Sequence, residues 1–341
     1  MGTGVPHGGD RQDRMRVLET KSDLGQAQKG CVVTIGNFDG VHTGHQKILT
    51  TARNIADEKQ TELTVITFEP HPVAILYPEK SPVVLIPLEL KKHLLADFGV
   101  DCLCVLKSSP ELLKLSPRDF VNEFLVKNIQ PGVVVEGENF NFGYGRSGSI
   151  HTLYNLGNEN GFEVIIVEAM TARLSIGHAV KVSSTLIRNM LEAGKVNDAA
   201  VALGRPYRLV GEITPGRGKG KELGFPTANI EPATQIIPEQ GVYAGFVEIA
   251  DSFEKVCLSK EKTPAVFSIG RTSTYGTDKP LLIEAHLLVE DVGDLIGKWM
   301  AMDFVQRLRN QMKFESETKL SEQIAKDCLF AKEVLAAQEP K

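Results

Sequence analysis

The 341-residue chain holds a single tryptophan, and aromatic residues make up only 6% of it. So sparse a supply leaves few platforms on which the bases of a single strand could stack. Net charge is −5, with 38 Lys and Arg against 43 Asp and Glu, so no basic field gathers phosphodiester backbones either. We therefore expect no nucleic-acid partner. No uninterrupted apolar run reaches the roughly 18 residues of a membrane-spanning helix, which excludes that class of membrane protein. The five cysteines, Cys31, Cys102, Cys104, Cys257 and Cys328, include no C-x-x-C pair. That argues against a structural zinc site and a disulfide framework, and reads them as buried thiols. Residues 1–29 are polar and glycine-rich and lack an apolar h-region, so they read as a flexible N-terminal extension and not as an export signal. The expected location is the cytoplasm.

What is present is enough apolar material, 42% of the residues, for two ordinary domains. From Cys31 to about Leu191 short apolar runs (Val32 to Ile35, Leu63 to Phe68, Cys102 to Leu106, Val133 to Val135, Val164 to Val167) alternate with segments of helical spacing. Those segments carry Ile48, Leu49, Ala52, Ile55 and Ala56, then Leu88 to Phe98, then Phe120 to Ile129. Continuous β-branched runs are what strands covered on both faces need, so this is βαβα order and predicts a doubly wound parallel sheet with ligands at the carboxyl ends of its strands. Beyond Leu203 the texture changes to short alternating segments, Tyr207 to Ile213, Gly241 to Ile249, Thr263 to Ile269 and Leu281 to Val289, with Gly and Pro between them. A small antiparallel β-barrel is predicted there, closed by a helix from Gln306 to Ala337. Ser184 to Leu203 reads as a helical linker, with the boundary near residue 200.

Directly after the first apolar run comes the glycine-flanked turn Gly36-Asn37-Phe38-Asp39-Gly40, then His42-Thr43-Gly44-His45. A helix N-terminus offers unpaired amides and partial positive charge, and two imidazoles three residues apart add donors aimed at the same point, which suits a nucleotide phosphate. Alone, such a pair is explained as well by solvated or capping histidines; its place at a strand-to-helix junction is what points to phosphate. Three further segments sit at the same edge. Glu69-Pro70-His71-Pro72 holds His71 between two prolines, which a rigid turn would explain equally. Glu136-Gly137-Glu138-Asn139-Phe140-Asn141-Phe142-Gly143 offers two carboxamides and two aromatics, either a recognition surface for a flat heterocycle or a turn with two core Phe. Ser183-Ser184-Thr185-Leu186-Ile187-Arg188 puts three hydroxyls at a helix start with an Arg one turn on, either an N-cap or a polyphosphate clamp. In the second half, Gly216-Arg217-Gly218-Lys219-Gly220-Lys221 lets backbone amides and two lysines approach a phosphate, and Thr227 with Asn229 supplies two neutral oxygens for a hard cation. A hairpin loop exposing charge is the alternative. The glycine spacing is not that of a Walker A loop.

Taken in order, these segments resemble the bacterial bifunctional riboflavin kinase/FMN adenylyltransferase family, the prokaryotic FAD synthetases, over residues 31 to 335. The resemblance implies a nucleotidyltransferase domain over residues 30–190, a linker over 191–204 and a riboflavin kinase barrel over 205–337. In the first, Gly36, Phe38, Asp39, His71, Asn139, Ser183, Ser184 and Thr185 would bind ATP or FMN. His42, His45 and Arg188 would stabilise charge as the FMN phosphate attacks the α-phosphorus and pyrophosphate leaves, with Mg²⁺ assisting. In the second, Gly216, Gly218, Lys219, Gly220 and Lys221 would cradle ATP, Thr227 and Asn229 would hold Mg²⁺, and Glu284 would accept the proton of the riboflavin 5′-hydroxyl. Partners implied are ATP, riboflavin and FMN, in a monomer or weak homo-oligomer. The chain departs from the family's N-I-G-x-R-P-T at Ser268, Thr272 and Ser273, from a common Tyr at Ile296, from an acidic pair at Asn310 and Gln311, and from an Asp at Asn139. Alternatives are an adenylyltransferase whose barrel binds flavin without efficient kinase activity, and a non-catalytic flavin or nucleotide sensor.

Overall fold

The computed structural model describes residues 15–175, 177–216, 220, 224–259, 261–271, 281–289 and 293–338. Gly218, Lys219 and Lys221, like Thr272 and Ser273, lie outside the described residues. The chain divides into two compact units. The described residues up to Pro82, with Lys91–Ala172 and Val180–Val182, form the first; Val83–Leu90, Arg173–Ala179 and the chain from Ser183 form the second.

In the first unit the apolar runs become strands β1 (Arg16–Leu18), β2 (Val32–Ile35), β3 (Leu63–Glu69), β4 (Cys102–Lys107), β5 (Val133–Gly137) and β6 (Glu163–Val167). They make one six-stranded sheet in the order β1-β4-β3-β2-β5-β6, with every pairing parallel. All four residues of β2 are buried, as expected for a central strand covered on both faces. The helix Thr43–Glu58 follows β2 and turns Leu49, Ala52 and Ala56 inward. The chain builds outward from β2 to β3 and β4, then returns to lay β5 on the other side of β2. The order therefore reverses between β2 and β5, and only two residue pairs join them, Val32 with Val133 and Val33 with Val134. Beyond those pairs the two strands part, which opens a crevice at their carboxyl ends.

The N-terminal stretch corrects an expectation. Residues 1–29 read as flexible, yet Arg16–Leu18 pairs with Cys102–Cys104 at the sheet edge, and the 3₁₀-helix Lys21–Gln26 buries Leu24. A handful of apolar residues, Leu18, Leu24 and Ala27, is too few to show a period in sequence but enough to anchor the segment in the core of this unit.

The second unit is a closed barrel of β7 (Tyr207–Thr214), β8 (Ala228–Pro232), β9 (Gly241–Ala250), β10 (Thr263–Arg271), β11 (Leu281–Leu287) and β12 (Trp299–Arg309), in the order β7-β8-β11-β10-β9-β12. Its pairings are antiparallel throughout. Phe304 lies at its centre, with ring centroids 6.3 Å from Tyr207, 5.3 Å from Tyr243 and 5.0 Å from Phe267. Arg208 is held by Glu248 and Asp303, both at 2.7 Å; both carboxylates are buried. The helix Glu317–Ala336 lays Ala331 and Leu335 on Val242, Ala244 and Val266, and its Asp327 takes the Arg309 guanidinium at 2.7 Å.

Two readings of this half are overturned. The helical spacing from Gln306 begins inside strand β12, and the helix starts only at Glu317. Register shifts between β9 and β12 explain the false period: Gly245 faces Phe304 while Ala244 faces Gln306, which leaves Val305 as the extra residue of a bulge. Val305 and Leu308 then reach the same helix-covered cluster although they are three residues apart. The linker reading of residues 191–204 keeps its helix but not its separateness, since the helix Val196–Leu203 buries Val196, Ala199, Ala202 and Leu203 and belongs with the barrel.

Gly245 tests how closely the barrel is packed, because a methyl group there would overlap the Asp303 carbonyl oxygen and the Phe267 ring. Gly245→Ala is expected to cost about 1–3 kcal/mol, read as a lower urea midpoint for the barrel by circular dichroism; an unchanged midpoint would contradict the packing.

Candidate functional site

Two sets of the residues singled out in sequence assemble, one in each unit. The first lies where β2 and β5 part. The Glu136 carboxylate, from the end of β5, takes the place of the missing ladder: the Ile35 N–H and the Thr34 hydroxyl both donate to its Oε1, the latter at 3.3 Å. Burial pushes the Glu136 carboxyl well above the ordinary range, against the opposing pull of these donors and of the Gly137 amide. One residue on, the Gly36 N–H turns the other way, to the Ile66 carbonyl of β3 at 2.9 Å.

The turn that follows is strained. Phe38 has φ 48° and Val41 φ 38°, either side of Gly40 at 84°; a β-branched residue in the left-handed region is a true outlier and costs of the order of 1–3 kcal/mol. Burial over-determines it: Phe38, Asp39, Gly40, Val41 and His42 are all buried. His42 caps the helix Thr43–Glu58 by accepting the His45 N–H at Nδ1, 3.3 Å away. The two imidazoles stack at 3.6 Å between centroids and 14° between planes, and Phe38 supports His45 from 5.1 Å.

Burial of the His45 ring, then the neighbouring His42 and Lys91, holds its pKa well below the ordinary histidine value of 6.5. Its Nδ1 is buried without a hydrogen-bond partner among the described residues. Lys91, 5% exposed on the helix Leu88–Asp97, is itself pulled down by burial while Glu69 and Asp39 pull it up. Its ammonium is 4.0 Å from Glu69 Oε2. Thus the histidine pair sits over one enclosed lysine and two carboxylates, and at neutral pH His45 is an uncharged donor, not a standing cation.

His71 caps the helix Pro72–Leu76 by accepting the Val73 N–H at 3.2 Å, and its Nε2 lies 3.0 Å from the Asn37 carboxamide. The structure therefore ties His71 to the Gly36–Gly40 turn. Asn139 is exposed and donates to Glu138 at 3.2 Å. The two phenylalanines beside it serve the core: Phe142 stacks on Phe140 at 5.4 Å and tilts against Phe120 at 5.9 Å. Ser183 is an N-cap, accepting the Leu186 N–H at 3.2 Å. It belongs with Ser184, Thr185 and Arg188 to the second unit, where the Arg188 Nε–H donates to the Val83 carbonyl at 2.7 Å.

The second set lies on the outside of the barrel. Along β8, β10 and β11 the residues flanking each of Asn229, Ser268 and Glu284 are buried while these three are not. Register places Asn229 and Ser268 on either side of Glu284. The glycines of the preceding loop close against this face. A methyl group at Gly216 would overlap the Asn229 carboxamide, and one at Gly220 would stand 2.9 Å from Thr227 Oγ1. Ser268 and Gln311, two of the departures from the family pattern, meet here: Gln311 Nε2–H donates to Ser268 Oγ at 3.1 Å and to the Ile269 carbonyl at 2.9 Å. Ile296 is 62% exposed.

Glu136 and Lys91 were missed as site residues. Glu136 left a signal, an acid closing the apolar run Val133-Val134-Val135, whereas Lys91 beside Lys92 reads as an ordinary solvated helix pair.

Comparison with known proteins divides the chain in the same way. A model of the FAD synthetase family matches residues 24–186, and a riboflavin kinase model matches residues 203–335. Proteins named bifunctional riboflavin kinase/FMN adenylyltransferase are similar over almost their whole length. That of Escherichia coli strain K12 is 33% identical over 96% of this chain and 100% of its own, that of Pseudomonas fluorescens 34% over 94% and 98%, and that of Bacillus subtilis 33% over 89% and 92%. Among solved structures, one described as a macrolide-efflux protein from Streptococcus pneumoniae superimposes with a TM-score of 0.78 and 26% identity, covering 92% of this chain and 97% of that one. No described helix of this chain is long and apolar enough to cross a membrane.

The state of His45 is open to direct measurement. Its folded-state pKa is depressed, so below about pH 6.5 the unfolded chain takes up a proton that the folded one refuses, and stability falls with pH. The His45 Cε1–H resonance is expected to titrate with a midpoint below 6.5, and His45→Asn to flatten the acid loss of stability between pH 6.5 and about pH 5; a midpoint at or above 6.5 would contradict this.

Proposed function

The chain belongs to the bifunctional riboflavin kinase/FMN adenylyltransferase family, and from that premise we infer how its two units make FAD. It phosphorylates riboflavin to FMN with ATP and adenylylates FMN to FAD with release of pyrophosphate. The observation that carries both activities is the tandem match of the two family models over 24–186 and 203–335. A monofunctional adenylyltransferase is not favoured, because the kinase match covers the whole barrel and its outer face retains Asn229 and Glu284 in register.

In the first unit we assign the phosphates of ATP to the turn Gly36–Gly40 and the start of the helix Thr43–Glu58. Phe38 acts from beneath, as the buried support of His45, and Asp39 through its effect on Lys91. The FMN phosphate oxygen attacks the α-phosphorus and the bond to pyrophosphate breaks, so negative charge grows on the bridging and leaving oxygens. His42 accepts a helix amide at Nδ1, so the neutral ring carries its proton on Nε2 and donates from there. His45, uncharged in the free enzyme, becomes easier to protonate as phosphate oxygens enter, so positive charge arises where negative charge develops. Asn139 and His71 complete the proposed substrate edge, while for Ser183, Ser184, Thr185 and Arg188 the proposed role in binding ATP rests on the family's motif alone.

In the second unit Glu284 is assigned as the acceptor of the riboflavin 5′-hydroxyl proton while that oxygen attacks the γ-phosphorus. Mg²⁺ fits the residues present. Thr227 and Asn229 are neutral oxygen donors suited to a hard cation, and the loop glycines leave them a cradle that any Cβ would fill. They would hold the ion, which when bound neutralises charge on the phosphate oxygens. Gly216 and Gly220 hold the loop against them. ATP, riboflavin and FMN are then the partners, and we propose a cytoplasmic location.

Incubating the protein with riboflavin, ATP and Mg²⁺ should give both FMN and FAD by chromatography, and with FMN in place of riboflavin should give FAD. Glu284→Gln should lower riboflavin phosphorylation by at least about 100-fold while FAD formation from FMN is spared. Equal loss of both activities would overturn this division of labour.

A further inference from the structure

Strand β11 carries a second polar side chain two residues beyond Glu284, on the same side of the strand. The Nδ1 of His286 lies 2.9 Å from the Pro226 carbonyl oxygen. A carbonyl only accepts, so this nitrogen bears the proton and donates. The ring also meets Phe225 edge-on, with centroids 5.5 Å apart and planes at 78°. Phe225 in turn gives its N–H to the Gly220 carbonyl at 2.8 Å. The segment from Phe225 to Thr227 is thus held between the glycine loop on one side and His286 on the other, immediately before the residues assigned to the cation.

We propose that His286 is a positioning residue of the kinase site: its hydrogen bond to the Pro226 carbonyl fixes the Thr227 oxygen relative to Asn229 and the Glu284 carboxylate. The strands alone leave Thr227 underdetermined. Between β8 and β11 the ladder consists of two pairs, Ala228 with Ala285 and Asn229 with Glu284, so Thr227 lies just past the last of them. The bond from His286 is a cross-link beyond that end, and it joins the loop holding the cation to the strand holding the proton acceptor. The inference rests on the kinase-site assignment given above.

A packing role for the ring and a positioning role for the bond separate by shape. Asn places an N–H close to where imidazole Nδ1 stands; Leu has the same branched outline with nothing to donate; Phe keeps an aromatic ring against Phe225 without a donor. His286→Leu and His286→Phe are expected to raise the KM for ATP in riboflavin phosphorylation, at saturating riboflavin and fixed Mg²⁺, by about threefold to tenfold, the worth of one hydrogen bond. The kcat should fall less than KM rises, His286→Asn should stay within about twofold of the parent, and FMN adenylylation should be unaffected in all three. A KM for His286→Leu equal to the parent's overturns the proposal, and so does a His286→Asn as impaired as His286→Leu. If His286→Phe does not fold, the Asn and Leu pair, matched in shape, decides alone. Glu284→Gln run beside them separates the two levels: full phosphorylation by Glu284→Gln sinks the site assignment, whereas an inactive Glu284→Gln with unimpaired His286→Leu sinks only the positioning role.

Discussion

Strands β2 and β5 stay paired for two residues and then part, and the whole nucleotide site proposed for the first unit depends on that parting. A parallel sheet opens a crevice at the carboxyl ends where its strand order reverses, and here the parting of the two strands also leaves backbone donors of β2 without ladder partners on that side. Here a side chain meets the deficit. The Glu136 carboxyl accepts from Ile35 and Thr34, and the next amide, at Gly36, crosses to the other neighbour. From that point the chain turns sharply into the helix that bears the histidines. Unpaired, the Ile35 amide would cost about 1–3 kcal/mol; the acid that satisfies it has its own pKa raised by the same burial.

The two units solve the same chemical problem, approach to a polyphosphate, with different backbone geometry. The parallel sheet concentrates its chemistry at one edge, where loops and helix starts converge. The barrel has a packed aromatic interior around Phe304 and is closed, so the chemistry proposed for it falls on the outer face, with Asn229, Glu284 and Ser268 on three adjacent strands. Alternation along each strand keeps these roles apart: Ala228, Ile230, Ile283, Ala285, Phe267 and Ile269 point inward and the polar residues between them outward.

Much of this was legible in the chain. The five longer strands of the parallel sheet stand out because burial on both faces demands unbroken apolar runs, and the histidine pair because a glycine-flanked turn separates it from one. The reading failed where tertiary pairing overrides local pattern. Strand β1 has three residues, β8 is hidden in the polar segment that also bears Asn229, and the bulge opposite Gly245 makes β12 look helical at its end. In the candidate sites, residues that would face substrate could be found from type and spacing. Those that act through burial, Glu136 and Lys91, could not, because their meaning lies in the neighbours that fold around them. Ser268 and Gln311 read in sequence as two separate losses, whereas in the structure they are one hydrogen-bonded pair.

The left-handed backbone at Phe38 and Val41 has an energetic corollary for ligand encounter. Its cost is met once, when the hydrophobic core closes over Val41, and is carried by the fold itself. On the proposed assignment a nucleotide arriving at the turn meets a backbone already held in place, so its association need not include the ordering of that loop. On that assignment affinity at the turn is insulated from chain entropy, and a substitution that relaxed the turn would make the protein more stable while weakening the proposed nucleotide contact.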